Sequence, residues 1–165
     1  MHTSRAHRLR PVRPADSAFL LRLFAANRAA ELMATRWSSE RQMQFLTQQF
    51  EARQVDYARR FPTALDQIVL WGGEAVGRLL MQRSGDEIHI VDIALLPVFQ
   101  RRGIGRDLLR GVLKIARHEK VVVSLTVDVR NRALTLYQCE DFVTVGRMGS
   151  HLSLRWTPPE MNPPG

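Results

Sequence analysis

The spacing of hydrophobic residues along this chain changes from helical to alternating and back, and these changes mark out its elements. Residues 8 to 13 read as a first strand ending at Pro14, after which Asp16 is placed to cap a helix carrying Leu20, Leu23 and Phe24 on one face. Ser39-Glu40-Arg41-Gln42 has capping-box form, and Met43, Leu46, Phe50 and Tyr57 then recur at helical spacing until Phe61-Pro62 stops the run. The period then shortens. Ile68 to Trp71, a Gly72-Gly73 turn, Val76 to Met81, Ser84-Gly85-Asp86 and Ile88 to Leu96 predict an antiparallel meander. Gly103-Ile104-Gly105 opens a helix with Ile104, Leu108, Val112 and Ile115 on one face. A β-branched run from Val121 to Val129, a short helix from about Ala133, and strands around Val143 to Arg147 and Leu152 to Trp156 follow. Helix pairs bracketing a mixed sheet make the expected class α/β in the α+β sense. Residues 1–156 are expected to form a single domain, and the Pro-rich stretch 157–165 a disordered tail.

Composition narrows the class without naming a function. The 165 residues are 45% hydrophobic and 24% charged, the balance of a soluble globular domain, and no apolar run approaches the length of a membrane span. Positive charge in Met1 to Arg8 is not followed by an apolar stretch, so no secretory signal is read and a cytoplasmic location is expected. A lone cysteine, Cys139, permits no intrachain disulfide and fits a reducing compartment. The net charge of +8 invites a nucleic-acid reading. Against it, only Lys114 and Lys120 are lysines, and the arginines are spread along the chain among acids instead of forming a tract. Such a charge would steer in a polyanion or a multiply phosphorylated small molecule.

Chemistry concentrates in Asp92-Ile93-Ala94-Leu95-Leu96-Pro97-Val98-Phe99-Gln100-Arg101-Arg102-Gly103-Ile104-Gly105, a strand running through a turn into a helix. Such a junction presents backbone N–H groups beside the positive helix end, and its glycines let a ligand approach the backbone closely. Arg101, Arg102 and Arg106 add charge suited to phosphate oxygens. A P-loop would need Gly-Lys-Ser/Thr, which Gly105-Arg106-Asp107 does not supply. A dinucleotide fingerprint would need glycine where Leu108 stands, although Asp128 lies at a suitable distance for a ribose contact. The third pattern, Gln/Arg-x-x-Gly-x-Gly, is met by Gln100 to Gly105.

With that pattern the chain resembles the GCN5-related N-acetyltransferase (GNAT) family. A second block, Asn131-Arg132-Ala133-Leu134-Thr135-Leu136-Tyr137 followed by Phe142, is similar to that family's Asn…Ala…Leu-Tyr…Gly-Phe segment, with Asp141 in place of its glycine. The resemblance covers residues 67 to 156 and the N-terminal helices only in pattern. It implies the acyl-CoA N-acyltransferase fold: a mixed, mostly antiparallel sheet of six to seven strands with about four helices, splayed between strands four and five, with acetyl-CoA as cosubstrate in the opening. It further implies that backbone groups at Ile93, Ala94 and Leu95 hold the pantetheine arm, that Gln100, Arg101, Arg102, Gly103, Ile104, Gly105 and Arg106 hold the pyrophosphate, that Asn131 contacts the CoA arm, and that Tyr137 protonates the departing thiolate.

The chemistry agrees with those roles. An amine must lose a proton before it attacks, and a tyrosine that stays protonated at neutral pH can serve the leaving sulfur. A free N–H between Ile93 and Leu95 could polarise the thioester carbonyl. Four residues compete as base: Glu87, His89, Asp92 and Asp128. His89 titrates in the useful range and stands where several family members carry a base, and Asp128 sits on the strand where others place an acidic one. Asp92, embedded in an apolar strand, needs a partner or a function.

The remaining residues are read more plainly. Cys139, about 200° around the helix from Tyr137, is expected in the core, which disfavours an acyl-cysteine route. The histidines show no ligand spacing, so no metal is expected. His118 complements a helix dipole, and Trp37 is read either as packing or as lining the acceptor pocket. The reading is an acetyl-CoA-dependent N-acetyltransferase acting on a primary amine by direct attack in a ternary complex, with no membrane partner. A catalytically silent acyl-CoA-binding module and a basic nucleic-acid-binding protein are its competitors. Small-molecule and peptide or protein amines, and a homodimer, stay open.

Overall fold

The computed structural model describes residues 6–162. Strand β1 (His7–Pro11) leads through a 3-10 turn, Pro14–Asp16, into two long helices, α1 (Ser17–Met33) and α2 (Ser39–Arg60). The meander follows as β2 (Leu65–Trp71), β3 (Glu74–Ser84) and β4 (Glu87–Leu95). The chain then forms α3 (Ile104–Glu119), β5 (Val122–Asp128), α4 (Ala133–Cys139) and a hairpin of β6 (Val143–Met148) and β7 (His151–Trp156). Among the described residues the seven strands make one sheet in the order β1-β2-β3-β4-β5-β7-β6. Only β4 and β5 run parallel, and the other neighbours are antiparallel, as the sequence led us to expect. No described helix is long and apolar enough to cross a membrane.

The sheet has helices on both faces, and alternation along its strands divides the core. Val69, Leu79, Ile90, Val123, Leu125 and Leu154 pack with Leu108, Leu109 and Val112 of α3 and with Tyr137 and Phe142. Ile68 and Leu80, each next in sequence to a member of that cluster, turn to the opposite face, where Leu20, Leu23, Leu32 and Leu46 of α1 and α2 are buried. Each such side chain contributes roughly 1.5–3 kcal/mol of burial.

Several local expectations are corrected. Asp16 does not cap α1: the 3-10 turn leaves it in helical backbone, and its carboxylate instead accepts from the Arg13 N–H at 2.7 Å and from both ends of the Arg10 guanidinium at 2.8 Å. Ser38, not Ser39, caps α2, its hydroxyl accepting the Arg41 N–H at 3.2 Å. Met43 and Ile115 are exposed, because the inward stripe of α2 is centred on Leu46 and that of α3 passes through Leu108, Leu109, Val112, Leu113 and Ala116. Cys139 is exposed at the end of α4, not in the core. Beyond β7 the chain stays on the body as far as described: Pro158 is fully buried and Pro159–Met161 form a 3-10 turn. Residues 163–165, included in the expected disordered tail, lie outside the described residues, as does Met1 to Arg5 of the segment read for a leader.

Candidate functional site

The site is set by the place where two parallel strands part. Pairing of β4 with β5 runs from Glu87↔Val122 to Ile90↔Leu125 and stops there, so Val91 to Leu95 have no partner on that side. On the other side β3 pairs with β4 throughout, but Met81 faces Ile90 while Leu80 faces Asp92, which makes Val91 the extra residue of a bulge. Gly77 permits this approach, since a Cβ there would stand 2.3 Å from the Ala94 carbonyl oxygen. The opening expected between strands four and five is present, and Ile93, Ala94 and Leu95 line it.

Beyond β4 the chain turns through Pro97–Phe99 into α3. Arg101 and Gly103 take left-handed backbone, with φ 60° and 84°, a conformation costly for arginine and natural for glycine. Asp107 is the first residue of α3 whose N–H finds a helical carbonyl, that of Gly103 at 3.0 Å. The N–H groups of Ile104, Gly105 and Arg106 therefore have no acceptor among the described residues and point out of the positive helix end. Gly105 needs no special backbone; a Cβ there would meet only carbons of Leu95 and Leu136 at 3.8 Å. Arg101, Arg102 and Arg106 surround this turn; Arg102 lies over the Phe99 ring, and Arg106 is 3.8 Å from Glu140. Three free donors beside three arginines fit a diphosphate.

Gln100 has a different role from its neighbours. Its side-chain amide donates to the Leu95 carbonyl and to Asn27 Oδ1, both at 2.9 Å, and the Asn27 amide donates to the same Leu95 carbonyl at 3.1 Å. Together they anchor α1 and the loop to the end of β4 and occupy the Leu95 carbonyl. The Asn131 side-chain oxygen accepts the Ala133 N–H at 2.9 Å and so starts α4.

The candidate acid and bases fall on two sides of the sheet. Tyr137 is buried with the α3 and α4 core, edge-on to Phe142 at 5.7 Å, and its hydroxyl has no hydrogen-bond partner among the described residues. Burial, reinforced by the charge of Asp92, pushes its phenol well above the ordinary value. Asp92 and His89 lie on the opposite face, toward α1 and α2. Burial raises the Asp92 carboxyl, against the pull of Arg53 and Arg78. His89 stacks on Phe61 with ring centroids 5.5 Å apart, and its Nδ1 is 2.8 Å from Ser124 Oγ. Burial lowers its imidazole, with Arg60 adding to and Glu87 opposing the effect.

Asp128 does not join them. It accepts from the Arg130 backbone at 2.8 Å, from the Arg130 guanidinium at 3.0 Å through each oxygen, and from Ser150 at 3.1 Å. These contacts hold it far below the usual carboxylate range, which makes it a brace for the turn after β5 and a poor base. Glu87 stands at the paired start of β4, away from the opening.

Sequence reasoning missed the side chains around Asp92. Arg78 is buried on β3, closing on Asp66 through two 2.8 Å hydrogen bonds and donating to Gln54 of α2 at 2.8 Å. Arg53 of α2 donates to the Tyr57 hydroxyl and stands 3.9 Å from Asp92. The available signal was an arginine inside the apolar run Val76 to Met81, beside a strand that buries an aspartate; opposite charges there require one another.

A sheet parted beside a helix start with free N–H groups, with a tyrosine on one side and a carboxylate and an imidazole on the other, is the arrangement that the family resemblance implies. The chain belongs to the acetyltransferase (GNAT) family, whose model matches residues 26–140. It is 38% identical over 79 residues to the N-alpha-acetyltransferase RimI of Mycobacterium tuberculosis (strain ATCC 25618 / H37Rv), a match covering 46% of this chain and 49% of that protein. Solved structures that share its fold include two acetyltransferases. The PaiA N-acetyltransferase of Thermoplasma acidophilum, solved in complex with coenzyme A, has 14% identity over 92% of this chain and 99% of its own, with a TM-score of 0.69. An acetyltransferase of Thermus thermophilus has 19% identity over 92% of this chain and 97% of its own, with a TM-score of 0.66.

Proposed function

We propose that this protein is an acetyl-CoA-dependent N-acetyltransferase that acetylates a primary amine by direct attack. The observation that carries the reading is the segment Val91 to Leu95, which has no partner on the β5 side, with Tyr137 on one face of the sheet and Asp92 on the other. The α3 side holds the diphosphate at the N–H groups of Ile104, Gly105 and Arg106 and the pantetheine along Ile93 and Ala94. The α1 and α2 side receives the amine. The name of the tuberculosis relative, N-alpha-acetyltransferase, agrees with an α-amine acceptor. The single cysteine agrees with a cytoplasmic location.

Bound acetyl-CoA supplies a thioester whose carbon–sulfur bond breaks as the amine nitrogen bonds to its carbonyl carbon. Asp92, its carboxyl raised by burial, draws the ammonium in and takes its proton. His89, whose neutral form burial favours and whose ring Phe61 and Ser124 fix, relays that proton toward solvent. Tyr137 keeps its proton until the thiolate takes it. One ammonium proton thus reaches solvent and the phenol proton reaches sulfur. The attacking nitrogen then gives up its surplus proton to the Tyr137 phenolate as the amide forms.

Thiol release from acetyl-CoA in the presence of an amine mixture tests this reading. Product formation abolished by Asp92→Asn and reduced less by His89→Gln is the expected result. Acetyl-CoA turnover without an N-acetyl product, or undiminished activity in Asp92→Asn, would refute it.

A further inference from the structure

The acceptor side of the site contains an ion pair that differs from the closed pairs of β1 and β3. Arg78 closes on Asp66, and Arg10 on Asp16, through paired 2.8 Å hydrogen bonds. Arg53 and Asp92 do not close: Nη2 and Oδ1 are 3.9 Å apart, beyond hydrogen-bond distance. Within the chain Asp92 has the Ile93 N–H and the charges of Arg53 and Arg78. Arg53 commits only Nε, to the Tyr57 hydroxyl, and its two terminal nitrogens have no hydrogen-bond partner among the described residues. The guanidinium carbon lies 5.7 Å from the Phe24 ring centroid and 5.2 Å from that of Tyr57, so two aromatic walls hold it in place.

A pair that served only the fold would gain by closing. Held open at the unpaired end of β4, with both side chains partly exposed, it offers a spare anion and spare donors side by side. We propose that Arg53 and Asp92 together read an acceptor bearing an ammonium and a carboxylate on adjacent atoms, a free α-amino acid: Asp92 takes the amine and Arg53 the carboxylate. This rests on the acetyltransferase reading and names its substrate class. A peptide N-terminus presents a neutral amide where the amino acid presents its carboxylate, and leaves the half-desolvated guanidinium without its anion.

The test is acetylation of the twenty common L-amino acids against the same residues as amides and as the first residue of tripeptide amides, with N-acetyl products measured by mass spectrometry. For the preferred residue, kcat/KM for the free acid exceeds that for the amide by at least about tenfold, the loss expected when a charged hydrogen-bond partner is removed. Arg53→Gln brings that ratio toward one through KM for the acceptor, without raising KM for acetyl-CoA, and Arg53→Lys retains part of it. Amides or tripeptides used as well as free acids by the wild type, or an Arg53→Gln variant that lowers both in proportion, would overturn the proposal. If no amine is acetylated, calorimetric titration of the same acids and amides into the CoA-saturated protein decides: binding of an acid over its amide supports the pair's role, and no such binding overturns it. Failure to bind acetyl-CoA at all is a separate readout and condemns the acetyltransferase reading itself.

Discussion

His89 and Asp92 project from the same face of β4 although they are three residues apart, because Val91 is extra in the ladder with β3. Ile90 pairs with Met81 and Asp92 with Leu80, so the alternation resets between them. Without the bulge Asp92 would enter the apolar layer under α3. With it, the carboxylate reaches the α2 side beside Arg53 at the point where β5 leaves.

Tyr137→Phe separates chemistry from binding. The ring keeps its edge contact with Phe142, so the fold is retained, while kcat falls by about 10²-fold or more with acetyl-CoA affinity near that of the wild type. Steady-state kinetics with a calorimetric acetyl-CoA titration check this; a loss of affinity equal to the loss of kcat would assign Tyr137 to binding.

The pH dependence follows from the direction of one shift. Because burial holds the His89 imidazole below its usual 6.5, the acid limb it contributes to kcat/KM lies below pH 6.5, and His89→Gln removes that limb. The same shift means that the unfolded chain binds the His89 proton first as pH falls, so this residue costs stability below pH 6.5 and none at about pH 8. A rate profile from about pH 5 to 9 for both proteins makes the comparison.

Two glycines should fail in different ways. Gly103→Ala forces a side chain into φ 84° at a cost of about 1–2 kcal/mol and disturbs the N–H groups that follow, so stability and acetyl-CoA affinity fall together. Gly77→Ala drives a Cβ to within 2.3 Å of the Ala94 carbonyl oxygen, where backbone must move; it should cost about 1–3 kcal/mol and raise KM for acetyl-CoA by displacing Ala94 and Leu95. Gly105→Ala meets only side-chain carbons at 3.8 Å and should leave the unfolding midpoint close to that of the wild type.

Asp16 ties β1 to the start of α1, and its acid sensitivity has a definite sign. Hydrogen bonding to Arg10 and to the Arg13 N–H lowers its carboxyl from 3.8 to about 2. The stability it confers is complete well above pH 3.8 and is lost as pH falls through about 2. Asp16→Asn should lower the unfolding midpoint at about pH 7 and flatten its decline between about pH 4 and 2.

The sequence announced most of the frame because period and punctuation agree there. The meander, the glycine-opened α3 and the β-branched β5 each carry a local signal that packing reinforces, and Asp141, standing where the family pattern has glycine, takes left-handed backbone with φ 69°. Less visible were features made by contact between distant segments. Nothing local distinguishes Arg53 from the other polar residues of α2, and Tyr57 reads only as part of its apolar stripe; they matter because α2 crosses the open end of β4. Asp128 looked equal to Asp92 as an acid on a strand, and only the contacts with Arg130 and Ser150 show it to be occupied. Gln100 sits in a phosphate motif, yet its side chain turns back to Leu95 and Asn27.

The central claim is that the parted β4 and β5 and the start of α3 form a site for acetyl-CoA in particular, not for phosphate in general. The thermal unfolding midpoint with acetyl-CoA, measured against equal concentrations of ATP and NAD, tests it most directly. At about a hundredfold excess over Kd, acetyl-CoA should raise the midpoint by roughly 5–10 °C, with much smaller changes for the other two. No rise, or an equal rise with all three, would contradict the account.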